Sequence, residues 1–152
     1  MMSKFFDSSD YVKEMAQAFF EKSGLAQMGL DLQVISITKA NSVISVQKAS
    51  ALTEFRTKGQ DTIHMIVFEQ AFERLSQEQQ QELVEGAISN ISYDTDKDKI
   101  NIDKSQYGEV LRMRQKFPNY VDVIEISQAA IEQIAEEEKQ RKQAEREAKK
   151  QG

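Results

Sequence analysis

Thr62-Ile63-His64-Met65-Ile66-Val67-Phe68 is the most apolar stretch of the chain, and its reading decides the fold. A continuous apolar run of this length, bounded by polar residues, reads as the central and least exposed strand of a sheet. Downstream, Glu69 to Arg74 begins a short helix, and Leu75-Ser76-Gln77-Glu78-Gln79 restarts it, with Ser76 as N-cap and Gln79 completing a capping box. The restarted helix runs to about Asn90 and turns Leu83, Val84, Ala87, Ile88 and Ile91 inward.

Upstream, past a polar stretch ending Thr57-Lys58-Gly59-Gln60, the segments Leu30 to Thr38 and Ser42 to Gln47 alternate apolar and polar residues on either side of Lys39-Ala40-Asn41. That pattern predicts a β-hairpin, although Asn41 is not followed by the favoured glycine. Residues 10 to 24 predict a helix with Asp10 as N-cap, Val12, Met15, Ala16, Phe19 and Phe20 at helical spacing, and Gly24 as terminator. Ile91-Ser92-Tyr93 and Lys99-Ile100-Asn101-Ile102 flank Asp94-Thr95-Asp96-Lys97-Asp98 as a second hairpin. A helix from about Ser105 to Lys116 is closed by Pro118, the only proline. From Val121 the chain is expected to be helical nearly to its end, packing Val123, Ile124, Ile126, Ala130, Ile131 and Ile134.

The expected class is therefore α+β: an N-terminal helix, a small mixed or antiparallel sheet, a central amphipathic helix and a long charged C-terminal helix. Residues 1–120 read as the globular domain, and 121–152 as a helix that packs at first and then extends into solvent. Beyond Ala135 no large apolar residue remains. Glu137 with Arg141, Glu138 with Lys142 and Glu145 with Lys149 stand four apart and support a helix there by about 0.2 to 0.5 kcal/mol per pair. No heptad seam accompanies them.

Composition narrows the chemistry. The chain has 152 residues, 39% of them hydrophobic, which suits one core with an appendage. With no cysteine, disulfides, thiolate metal sites and thiol nucleophiles are excluded. A formal net charge of −5 disfavours general binding to phosphate backbones. Neither the start, Met1-Met2-Ser3-Lys4-Phe5-Phe6-Asp7, nor any later stretch has signal-peptide or membrane-span character, so a cytoplasmic protein without membrane contact is expected.

Each candidate site meets a simpler alternative. His64 is the only histidine, so a His-based zinc triad cannot be assembled within the chain, and a satisfied structural role in the strand is expected for it. Asp94, Asp96 and Asp98 resemble the start of an EF-hand loop, but Lys99 and Ser105 stand where glycine and glutamate are needed, so a hairpin turn of solvated acids is the better account. No serine sits in a Gly-x-Ser-x-Gly elbow, and Gly24, Gly29, Gly59, Gly86 and Gly108 make no phosphate-binding fingerprint. Arg112, Arg114 and Lys116, with Tyr107 and Phe117, are candidate contacts for a partner or nucleic acid, as are Arg141, Lys142, Lys149 and Lys150 on the tail, although the wet face of a short helix and a solvated, fraying tail helix are the simpler accounts. Paired-carboxylate catalysis has no positive signature.

Two resemblances add to this reading. Asp61 to Asp94 resembles a small phage-encoded metallopeptidase family, in which an apolar strand leads through a Leu-Ser-Glu-Glu-Gln type helix start into a His-Glu-Leu-x-His helix. The motif falls here on Gly86-Ala87-Ile88-Ser89-Asn90, so Gly86 and Asn90 replace the zinc-binding histidines and Ala87 replaces the catalytic glutamate. The string Ile91 to Ile100 before a charged C-terminal helix is similar to small tailed-phage proteins of unassigned function. Together they imply a phage-encoded, zincin-like pseudoenzyme framework emptied of metal, with a retained surface role.

The resulting expectation is a non-catalytic protein-binding or accessory protein, host-directed if phage-encoded, with no cofactor and a partner the sequence does not identify. A nucleic-acid-associated factor and a carboxylate hydrolase are the alternatives. Phe5, Phe6 and Phe117 are left over as apolar side chains for a homo-oligomeric contact.

Overall fold

A computed structural model describes residues 3–50 and 61–151. The polar stretch ending at Gln60 lies outside the described residues. The elements run β1 (Phe5–Asp7), α1 (Asp10–Lys22), a 3-10 turn (Ala26–Met28), β2 (Leu30–Ile37), β3 (Ile44–Lys48), β4 (Asp61–Val67), α2 (Glu69–Phe72), α3 (Gln77–Ser89), β5 (Ile91–Asp94), β6 (Lys99–Ile102), α4 (Gln106–Arg114) and α5 (Tyr120–Gln151). The class is α+β, and no helix among the described residues is long and apolar enough to cross a membrane.

The apolar run does form an interior strand. Ile63, Met65 and Val67 are fully buried, and β4 is hydrogen-bonded on both sides in a mixed sheet of order β1-β2-β4-β3. β4 lies parallel to β2, with Leu32 opposite Ile63, and antiparallel to β3, with Ser45 opposite Ile66.

This arrangement overturns the expected hairpin between Leu30 to Thr38 and Ser42 to Gln47. The two strands exist, but β4 is inserted between them. Without a glycine after Asn41 there is no tight turn to hold them together, and the strand able to bury both faces takes the interior place, where it satisfies two ladders at once. β3 is consequently left on an edge. Phe5–Asp7, not expected as a strand, forms the opposite edge against Ile35–Ile37 of β2.

Two smaller corrections concern local chemistry. Ser9, not Asp10, caps α1: it has extended backbone angles, its side chain accepts from Val12 N, and its own N–H donates to Glu69 Oε1 at 2.7 Å. His64 is less satisfied than expected, because Nε2 is buried with no hydrogen-bond partner among the described residues. Other expectations hold. The capping box on α3 is present in both directions, between Ser76 and Gln79. Leu83, Val84, Ala87, Ile88 and Ile91 are buried, and β5 and β6 form the second hairpin. In its turn, Asp94 Oδ1 accepts from the backbone N–H groups of Asp96 and Lys97, which is turn chemistry.

α5 has 32 residues and is about 48 Å long. Tyr120, Val123, Ser127, Ala130 and Ile134 are its buried positions. Beyond Ile134 one side chain ties it to the body: Glu137 receives both Arg74 guanidinium arms, at 3.1 and 2.6 Å. The bidentate Arg74 pair stands in place of the expected pairing of Glu137 with Arg141, which forms no ion pair among the described residues. Glu138 does pair with Lys142, at 3.3 Å, whereas Glu145 and Lys149 form no ion pair among the described residues.

Candidate functional site

α3 carries the positions of interest. Gly86 and Asn90 stand four apart and so share one face of the helix and its C-cap. That face meets the start of α5 at Tyr120, which is fully buried. A Cβ built on Gly86 would overlap the Tyr120 hydroxyl, so the glycine is required by close approach. An isolated glycine within a helical pattern costs about 1 kcal/mol relative to alanine, and this contact is the packing reason that offsets it.

From Tyr120 a polar network spreads across three helices. The Tyr120 hydroxyl donates to Glu109 Oε2 at 2.6 Å, and Asn90 Nδ2 donates to Glu109 Oε1 at 2.7 Å. Arg112 donates through Nη2 to Asn90 Oδ1 and through Nη1 to Asp103 Oδ2, the latter at 2.8 Å. Asp103 N in turn donates to the Asn90 carbonyl at 2.8 Å, tying the β6–α4 connection to the end of α3. Burial, reinforced by the Glu109 carboxylate, raises the Tyr120 phenol far above its ordinary range. The Arg112 guanidinium and the Ser105 N–H hold the Asp103 carboxyl below its own. On the neighbouring turn of α3, burial and then the charges of Glu78 and Glu85 raise Glu82.

The two positions where the resembled motif has metal-binding histidines are thus a glycine filled by a phenol and an asparagine bonded to a carboxylate and a guanidinium. Both Glu109 oxygens are engaged in holding α3, α4 and α5 together. Among the described residues, no three His, Cys, Asp or Glu side chains converge as a metal-binding group. The arrangement is suited to rigidity, and its members act as a brace.

Beside this brace lies a cleft of about 340 Å³. One wall is the continuous backbone from Ser42 to Val46, and the opposite wall is the β6–α4 connection from Ile102 to Gln106. Leu83 and Ile124 contribute apolar surface to it, while Asn90 and Glu109 bring the brace to its border. β3 has β4 as its sole ladder partner among the described strands. Phe68 N bonds to Val43 O and Ala49 N to Thr62 O, so Val43 and Ala49 face β4. Alternation along an antiparallel pair then turns the N–H and C=O groups of Ile44 and Val46 outward, along the cleft.

The sequence-derived basic residues are only partly available. Arg112 is engaged by Asp103 and Asn90, and Lys116 donates to Glu85 Oε1 at 2.9 Å while its Nζ sits 5.4 Å from the Phe117 ring centroid. Arg114 is exposed without an ion pair among the described residues, and Tyr107 beside it is exposed. On α5, Lys142 is paired with Glu138, while Arg141, Lys149 and Lys150 are exposed. The structure does not gather these groups: Arg112 and Lys116 bind back onto α3 and its flank, Arg114 is exposed at the end of α4, and the rest lie on the projecting part of α5.

Sequence reasoning missed Asn90, Glu109 and Tyr120 as partners and β3 as an edge strand with one ladder among the described residues. Gly86 inside a strong helical pattern was the single available signal. No family model matches the chain, and no curated protein or solved structure matches it either.

Proposed function

We propose that the chain is a non-catalytic protein-binding module that accepts an extended segment of its partner as an added strand along β3. The observation that carries this reading is the cleft itself, whose wall is an edge strand with outward backbone groups at Ile44 and Val46 and whose lining includes Leu83 and Ile124. Main-chain pairing supplies affinity in this mode, and the apolar lining receives alternate side chains of the guest. The brace supports the reading by fixing the opposite wall, so that little ordering is required on binding. The non-catalytic part is supported by the side chains at the motif positions, Gly86, Ala87 and Asn90, none of which is an acid, base or nucleophile.

The test is selection from a displayed random-peptide library on the full chain, repeated on Val46→Pro. Proline removes an N–H that points away from β4 and leaves the β3–β4 ladder intact, as edge strands tolerate. Peptides should be recovered that shift the amide resonances of residues 42–46 and lose binding to Val46→Pro by tenfold or more, about 1.4 kcal/mol. Failure to recover peptides, or binding indifferent to Val46→Pro, overturns the reading.

A further inference from the structure

We infer that the outer faces of α4 and α5 form a two-fold self-interface, with α4 of one copy seated on α5 of the other and the reverse contact made at the same time. Half of the large apolar side chains exposed among the described residues lie on these two helices: Tyr107 at 74%, Leu111 at 46%, Val121 at 41% and Ile126 at 43%. On α4, Tyr107, Leu111 and Arg114 fall within about 60° of arc, forming a narrow stripe. On α5, Val121 stands four residues before Glu125, and Asp122 four before Ile126, which places two apolar and two acidic residues on one exposed face.

The two faces are complementary. The α4 stripe is apolar and ends in a cation, whereas the α5 face is apolar and acidic. Neither Arg114 nor Asp122 nor Glu125 has an ion-pair partner among the described residues. Helix-end electrostatics account for acids near the start of α5 and bases near the end of α4. They do not account for four exposed large apolar groups beside them. Tyrosine and arginine are among the residue types enriched at interface centres. Because each copy carries both faces, a two-fold axis satisfies both contacts and closes the assembly. This assigns the self-contact to helices and not to Phe5, Phe6 and Phe117, the last of which is half-buried under the Lys116 ammonium.

The experiment measures mass in solution by light scattering and sedimentation on the full chain. The unaltered chain should be a dimer at micromolar concentration, loosening as salt is raised. Arg114→Glu alone, and Asp122→Arg with Glu125→Arg together, should each be folded monomers. Mixed in equal amounts they should return to a dimer, because both α4–α5 contacts are then complementary again. Tyr107→Ser with Leu111→Ser should be monomeric by loss of apolar area while keeping every charge. A chain that is monomeric at all concentrations, charge-reversed variants that remain dimers, or a mixture that stays monomeric each overturns the proposal. None of these residues lines the β3 cleft, so peptide selection and oligomeric state fail independently.

Discussion

The two halves of α5 are covalently one helix and physically two objects. From Tyr120 to Ile134 it carries a buried residue on nearly every turn, closes the polar brace through Tyr120 and borders the cleft through Ile124 and Ser127. From Ala135 onward every described side chain but that of Glu138 is exposed, and the helix is supported by the Glu138–Lys142 pair and the Arg74 clamp. The difference teaches that continuous helix is no sign of continuous structure: the first half is held by tertiary burial, the second by one long-range ion pair and interactions a solvated peptide could make.

The strongest way to break the comparison is within the packed half and its support. Ile88→Asp places a charge in the core and should abolish the folded state, read as loss of a cooperative melt. A soluble, cooperatively melting Ile88→Asp protein would falsify the placement of α3. Gly86→Ala comes next. Its Cβ collides with the Tyr120 hydroxyl, so overpacking should destabilise by about 1 to 3 kcal/mol in a denaturant titration. Tyr120→Leu in the same chain should recover part of that loss, which no general intolerance of alanine predicts.

Tyr120→Phe is subtler, because it keeps the ring and leaves Glu109 Oε2 without its donor, at about 1 to 3 kcal/mol. It also carries a pH signature. The folded phenol titrates above the unfolded one, so its contribution is complete below the unfolded pKa of about 10 and is lost as pH rises beyond it. The unaltered chain should therefore lose stability on the alkaline side more steeply than Tyr120→Phe; equal slopes would remove Tyr120 from the brace.

The smallest effect sharpens the comparison from the other side. A chain ending at Lys142 keeps both the Arg74 clamp and the Glu138–Lys142 pair, and its melting free energy should stay within about 0.5 kcal/mol of the full chain. Ending at Ala135 removes the clamp as well. A further small loss between the two truncations measures that clamp together with the Glu138–Lys142 pair, and a large one would mean that the distal half is packed after all.

Much of this was legible in the residues themselves. The interior place of residues 62–68, the capping box at Ser76 and Gln79, the inward face of α3, the second hairpin and the loss of packing past Ala135 all follow from periodicity and end chemistry, which act over a few residues. The partner of each strand was not. β2 and β3 look like a hairpin because they are neighbours in sequence, but which edges join depends on which strand can bury both faces in the assembled sheet. Likewise local spacing pairs Glu137 with Arg141, whereas the fold brings it to Arg74, 63 residues away in sequence.

Sequence alone determined the elements other than β1 and the short 3-10 turn, the absence of thiol and multi-histidine chemistry, and the point where α5 leaves the body, since each depends on residue type and local spacing. Only tertiary structure decided that β4 separates β2 from β3, that Gly86 makes room for Tyr120, and that Asn90, Glu109, Arg112 and Asp103 meet. The physical reason is that close approach and hydrogen-bond satisfaction depend on distances between residues far apart in the chain, which neither composition nor period encodes.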